Sequence, residues 1–153
     1  MDFGKPGYTA QVATYLKNQE YGKAYDLGKT FVQAFPDDVV AHFLLAESAF
    51  WSGKYEEAAF EGSKAFNKSS NDEDMLACAI ITSSAYYELG KYAEGYKLLK
   101  MVEPRKKSEE LEKLLFIFSL EMNDDKEAMK HVDDLFKLNK KAAEELIVKY
   151  LKG

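Results

Sequence analysis

Apolar residues recur along this chain every three or four positions, as in Leu45, Ala46 and Ala49 or Ala143, Leu146, Ile147 and Tyr150, and no stretch alternates with the period of two that a strand requires. The pattern predicts an all-α protein. Three prolines, Pro6, Pro36 and Pro104, and nine glycines punctuate it. Capping side chains stand just before periodic runs: Asp37-Asp38 after Pro36, Asn71-Asp72 after Ser69-Ser70, and Ser108 after Pro104. Helices are therefore expected to begin near Val39, Glu73 and Glu109.

Four short phrases then align: Glu20-Tyr21-Gly22-Lys23-Ala24, Lys54-Tyr55-Glu56-Glu57-Ala58, Lys91-Tyr92-Ala93-Glu94-Gly95 and Asp124-Asp125-Lys126-Glu127-Ala128. They begin 34, 37 and 33 residues apart. Each lies at a turn between two helical patterns, where Gly53 and Gly90 supply the backbone freedom of a tight helix-to-helix connection. Each phrase opens a second helix; in the first three the tyrosine after the turn packs back on the first helix, and in all four a small residue lets the two backbones approach.

A helix-turn-helix unit of about 34 residues with a small residue after the turn resembles the tetratricopeptide repeat. The second unit carries the resemblance best, through Leu45, Ala46, Gly53, Tyr55 and Ala58; the first matches through Tyr8, Tyr15, Ala24 and Pro36, and the third through Tyr86, Gly90 and Tyr92. The fourth is the most degenerate, with Glu112 in the slot usually held by tryptophan and Phe116 in that usually held by glycine. Gly28 and Gly62 occupy a slot the family usually gives to phenylalanine, which implies close helix contact with Phe31, Phe60 and Phe66 filling the volume, or else a hinge. The resemblance implies a right-handed superhelix of antiparallel helix hairpins, a tetratricopeptide-like α-solenoid. The expected organisation is one domain over residues 1–153, with repeats at about 5–38, 39–73, 74–107 and 108–139. An amphipathic capping helix over about 140–152 closes it, because terminal units of a solenoid need a polar outer side.

Composition narrows the function. Twenty-one Lys plus Arg against twenty-six Asp plus Glu give a formal charge of -5, which argues against nucleic acid and anionic lipid as partners. No stretch approaches the roughly 20 apolar residues of a membrane span, and Met1 to Pro6 lack the form of a secretory leader. The single cysteine, Cys78, fits a reducing compartment, so the expected location is cytoplasmic.

The search for chemistry returns nothing catalytic. Gly28-Lys29-Thr30 lacks the earlier glycine of a phosphate loop, finding Lys23 there, and Asn71-Asp72-Glu73-Asp74 lacks the pattern of a calcium loop. His42 and His131 fall in different hairpins and read as ordinary helical histidines, Cys78 reads as a core thiol, and nearly all the carboxylates read as polar helix faces. The expectation is no enzyme, no cofactor and no metal.

The resemblance places the first helix of each hairpin on an inner, concave surface. With His42, Leu45, Ala46 and Ala49 taken as the packing stripe, Phe43, Leu44, Glu47, Phe50 and Trp51 are left to face inward. The third unit offers Ile80, Ile81, Ser84, Tyr87 and Glu88, and the fourth Leu114, Ile117 and Glu121. The family's carboxylate-clamping members carry basic residues and asparagine on this surface, where Thr9, Ala13, Leu44, Ala77 and Ile81 stand here. So apolar a face requires cover. The function expected is a protein-protein interaction module or adaptor that holds an apolar or amphipathic peptide segment with flanking basic residues in the groove. The alternative is a self-associating scaffold in which a second copy, or the chain's own C-terminal helix, covers it.

Overall fold

The computed structural model describes residues 4–151. Met1 to Phe3, part of the leader reading, and Lys152, the expected end of the cap, lie outside the described residues. The periodic runs form helices in antiparallel pairs: α1 (Lys5–Lys17) with α2 (Tyr21–Ala34), α3 (Val39–Trp51) with α4 (Tyr55–Lys68), α5 (Asp72–Glu88) with α6 (Tyr92–Val102), and α7 (Glu109–Glu121) with α8 (Asp125–Leu138). A last helix, α9 (Lys140–Tyr150), packs on α8. Among the described residues there is no strand, and no helix is long and apolar enough to cross a membrane.

Side-chain caps fix where the helices start. Asp38 Oδ1 accepts from the amides of Val40 (2.7 Å) and Ala41 (3.3 Å), Asn71 Oδ1 from Asp74 (2.8 Å), and Ser108 Oγ from Leu111 (3.2 Å). Each satisfies donors that the helix itself leaves unpaired. Asn139 does the same for α9 through the amide of Ala142.

All four hairpins close through one device. A residue with positive φ follows the first helix: Gln19 (60°), Gly53 (77°), Gly90 (74°) and Asn123 (57°). The next amide then reaches back five residues, Glu20 to the Tyr15 carbonyl (2.8 Å), Lys54 to Ala49 (2.8 Å), Lys91 to Tyr86 (2.8 Å) and Asp124 to Ser119 (2.9 Å). This is the left-handed C-terminal cap of a helix. Glycine marks it in two hairpins; in the others glutamine and asparagine accept the same backbone.

Stacking of one hairpin on the next explains Gly28, Gly62 and Gly95 inside helices. A Cβ on Gly28 would stand 3.3 Å from Leu45 Cδ1 and 3.4 Å from Leu45 Cα on α3, and one on Gly62 would collide with Thr82 Oγ1 on α5. A Cβ on Gly95 would likewise stand 2.6 Å from Cε1 of the Phe118 ring on α7. The glycines are thus points of backbone approach, and the cost of roughly 1 kcal/mol each relative to alanine is offset by close packing. Phe31 and Phe66 are buried as expected, whereas Phe60 is exposed beneath the Lys64 ammonium.

The core is correspondingly linear. Tyr8, Val12 and Phe31 join the first hairpin to Ala41 and Leu44 of α3; Phe66, Cys78, Leu99, Leu111 and Phe118 run from the second hairpin to the fourth; Phe116, Val132 and Leu135 close against Ala142, Ala143 and Leu146 of α9. The first helices also touch each other directly, α1 with α3, α3 with α5 and α5 with α7, and so form one continuous wall.

Candidate functional site

That wall carries a trough. In α3, Phe43, Glu47, Phe50 and Trp51 line it; across from them stand Ile80, Ile81 and Ser84 of α5, joined by Glu73, Leu76 and Ala77 of α5 and Glu110 of α7. This section has a volume of about 530 Å³. Phe50 and Ser84 also line the adjoining section, with Tyr87, Glu88, Leu114, Ile117 and Tyr150, so the two are continuous. Positions 73, 76, 77, 80, 84 and 87 step along one face of α5, and 110, 114 and 117 along one face of α7, at helical spacing.

Two expected positions fall elsewhere. Leu44 does not line the trough: it is 8% exposed and packs with Tyr8, Val12 and Phe31, because α3 is wedged between the first and third hairpins and buries both flanks. Glu121 is exposed beside the trough, accepting a hydrogen bond from the Tyr87 hydroxyl at 3.2 Å. Sequence reasoning missed Tyr150, which α9 brings against Phe116 and into the trough's end. Its spacing after Ile147 is legible, but only as packing surface.

The floor is apolar and the rim acidic. Glu47 is half-buried, and burial holds its carboxyl above the ordinary range. Glu73, Glu88 and Glu110 are exposed along the edge, while Lys113 and Lys149 stand at the α9 end. Trp51 stacks on Tyr21 of the first hairpin (5.7 Å between centroids) and meets Phe50 edge-on, yet remains 54% exposed.

A few carboxylates lie off the polar faces that hold nearly all of them. Glu61, Glu103 and Glu112 are buried, Glu112 completely. In the second hairpin His42 Nδ1 lies 2.6 Å from Glu61 Oε2 and Nε2 lies 2.6 Å from the Pro36 carbonyl. In the fourth, His131 Nδ1 lies 2.8 Å from Glu112 Oε1 and 3.5 Å from Glu103 Oε2, with Nε2 3.1 Å from the Tyr96 hydroxyl. Burial, together with the facing Glu103 carboxyl, raises the pKa of Glu112. Burial also pushes the Cys78 thiol up to about 12, which leaves it inert as a nucleophile at neutral pH.

No family model and no curated protein matches the chain. Solved structures do. A thermophilic TPR protein from Thermus thermophilus is 19% identical over 97% of this chain and 80% of its own, with a TM-score of 0.76. The pilF protein of Pseudomonas aeruginosa is 19% identical over 97% and 69%, with a TM-score of 0.76. The Cut9–Hcn1 hetero-tetramer of the APC/C gives 15% identity over 94% of this chain and 29% of that one, with a TM-score of 0.81. At such identities the likeness is one of architecture, and the chain has the tetratricopeptide-repeat fold.

Proposed function

We propose that this chain is a protein-interaction module whose trough holds an amphipathic segment of another polypeptide, its apolar side on Phe43, Phe50, Ile80 and Ile117 and its basic residues on the glutamate rim. The observation that carries the reading is the pairing of an apolar floor with Glu47, Glu73, Glu88 and Glu110 along one continuous trough. Apolar burial supplies affinity, while complementary charge sets orientation and excludes acidic competitors. Trp51, Phe43 and Tyr87 are of the aromatic type that dominates binding energy when a ligand desolvates them.

A self-associating scaffold is the alternative, and Tyr150 in the trough's end is what favours a role for the chain's own C-terminal helix there. The test is titration with a cationic amphipathic helical peptide and with an anionic peptide of the same apolar face, read by Trp51 fluorescence and calorimetry. The cationic peptide should bind and the anionic one should not, with Glu47→Lys/Glu73→Lys weakening binding at least tenfold. Equal binding of both peptides, or of neither, overturns the reading. A mass that rises with concentration in light scattering assigns the face to a second copy instead.

A further inference from the structure

The fourth hairpin holds a polar centre that the trough does not use. Glu103 closes α6, Glu112 lies on α7, and His131 and Asp134 lie one turn apart on α8, so that a donor atom from each falls within 4.8 Å of the others. Glu112 and His131 are fully buried and Glu103 is 9% exposed.

The hydrogen-bond pattern leaves this centre unfinished. Glu103 Oε1 accepts from Lys100 Nζ at 2.6 Å and Glu112 Oε1 is matched to His131 Nδ1, but Glu103 Oε2 and Glu112 Oε2 are buried with no donor. The two carboxyl groups face each other. Lys107 approaches Asp134 at 3.6 Å, and among the described residues no donor reaches the inward oxygen of Glu112. Buried carboxylates left without donors are expensive, and a cation among them removes that cost.

We propose that Glu103, Glu112, His131 and Asp134 form a binding site for a divalent transition-metal ion, Zn²⁺ or Mn²⁺. One imidazole with three carboxylates is a mixed nitrogen-oxygen donor set that suits these ions rather than the softer, thiolate-bound ones. Metal–ligand bonds of about 2.1 Å put neighbouring donors about 3.0–3.4 Å apart, and the 2.8 and 3.5 Å separations around His131 Nδ1 bracket that range. With Nδ1 on the metal, Nε2 carries the proton and donates it outward to the Tyr96 hydroxyl at 3.1 Å, which in turn donates to Glu127 Oε2 at 2.7 Å. Such an outer partner orients a ligating histidine. Asp134 is 18% exposed at its side chain and Glu103 10%, which gives the ion a way in from the α6–α8 edge.

A single proton shared by Glu103 and Glu112 is the competing occupant, and it makes no use of Asp134. Chelator-treated protein is titrated with ZnCl₂ and, separately, MnCl₂ by calorimetry, with thermal melts and histidine NMR in parallel. Binding of one equivalent is expected, with a higher melting temperature and a shift of the His131 ring signals while those of His42 stay in place. Asp134→Asn, at a partly exposed position, should fold normally and weaken binding by about 10- to 100-fold. Glu112→Gln, which keeps the side-chain shape, should weaken it at least as much. Absence of binding up to millimolar metal, binding unchanged in both variants, or an unmoved His131 signal overturns the assignment.

Discussion

The second and fourth hairpins bury the same pair of residue types in the same two slots, with the partners exchanged. His42 is the fourth residue of α3 and Glu61 the seventh of α4, whereas Glu112 is the fourth of α7 and His131 the seventh of α8. In the second hairpin the imidazole is used on both sides, by Glu61 and by the Pro36 carbonyl. In the fourth, Glu103 enters from the end of α6 and two carboxylate oxygens are left over. The scaffold accepts a polar pair at this depth when it is closed; one additional carboxylate turns the same location into a receptor.

The largest effect expected from breaking this comparison is at His42. His42→Ala strands the Glu61 carboxyl and empties an imidazole-sized volume, which should cost roughly 3 kcal/mol in urea unfolding. Glu112→Gln, measured in chelator, should cost less than about 0.5 kcal/mol, because the amide donates to Glu103 while its oxygen still faces His131. Equal losses at the two positions would end the distinction between a closed pair and an open one.

The neighbouring slots differ in volume rather than charge. Gly62 follows Glu61 where Val132 follows His131, and the glycine lies against Thr82, whose hydroxyl is held by the Cys78 carbonyl at 2.7 Å. Gly62→Ala should therefore destabilise by about 2 kcal/mol through overpacking. Val132→Ala should cost about 2 kcal/mol or somewhat less by the opposite route, a cavity beside His131. Thermal unfolding of both variants checks the signs, and a neutral Gly62→Ala would mean that the second and third hairpins slide freely.

The smallest expected difference is at the caps. Asp38 starts α3 while paired with Lys5 at 2.6 Å, and Ser108 starts α7 through a single hydroxyl. Burial alone would raise the Asp38 pKa, but the Lys5 hydrogen bond and the Val40 and Ala41 amides bring it below the ordinary 3.8. A carboxylate with a depressed folded pKa contributes stability that is complete above the unfolded value and is lost as pH falls through the folded one. Asp38→Ala should cost about 1 kcal/mol at pH 7, and the difference from wild type should shrink below pH 3.8. Ser108→Ala should cost a similar amount with no acid dependence of its own, and unfolding curves at pH 7 and pH 3 separate the two.

The fold is legible in the sequence because the turn phrases repeat and because caps and prolines mark the helix starts; α5 begins at Asp72, one residue before the expected position. The trough is legible in part. Along α3 nearly every side chain is apolar, so periodicity does not say which flank meets the first hairpin, and it places Leu44 on the wrong side. Glu112 reads as a poor match to a tryptophan slot, although it sits in the buried stripe Leu111, Leu115, Phe116 and Ser119. A signal is present: 19 residues separate His42 from Glu61 and Glu112 from His131. Glu103 carries no such mark, since only the close of α6 against α7 and α8 brings it in.

The backbone turn at Gln19, Gly53, Gly90 and Asn123 has a kinetic consequence. Each hairpin is stapled by an amide reaching only five residues back, so its closure requires almost no search through chain conformations. Helices that meet chiefly their sequence neighbours, with smaller contacts between successive first helices, define a low contact order, the regime of folding in microseconds to milliseconds. Ordering can start at any hairpin and spread outward unit by unit, as in a one-dimensional lattice of coupled spins.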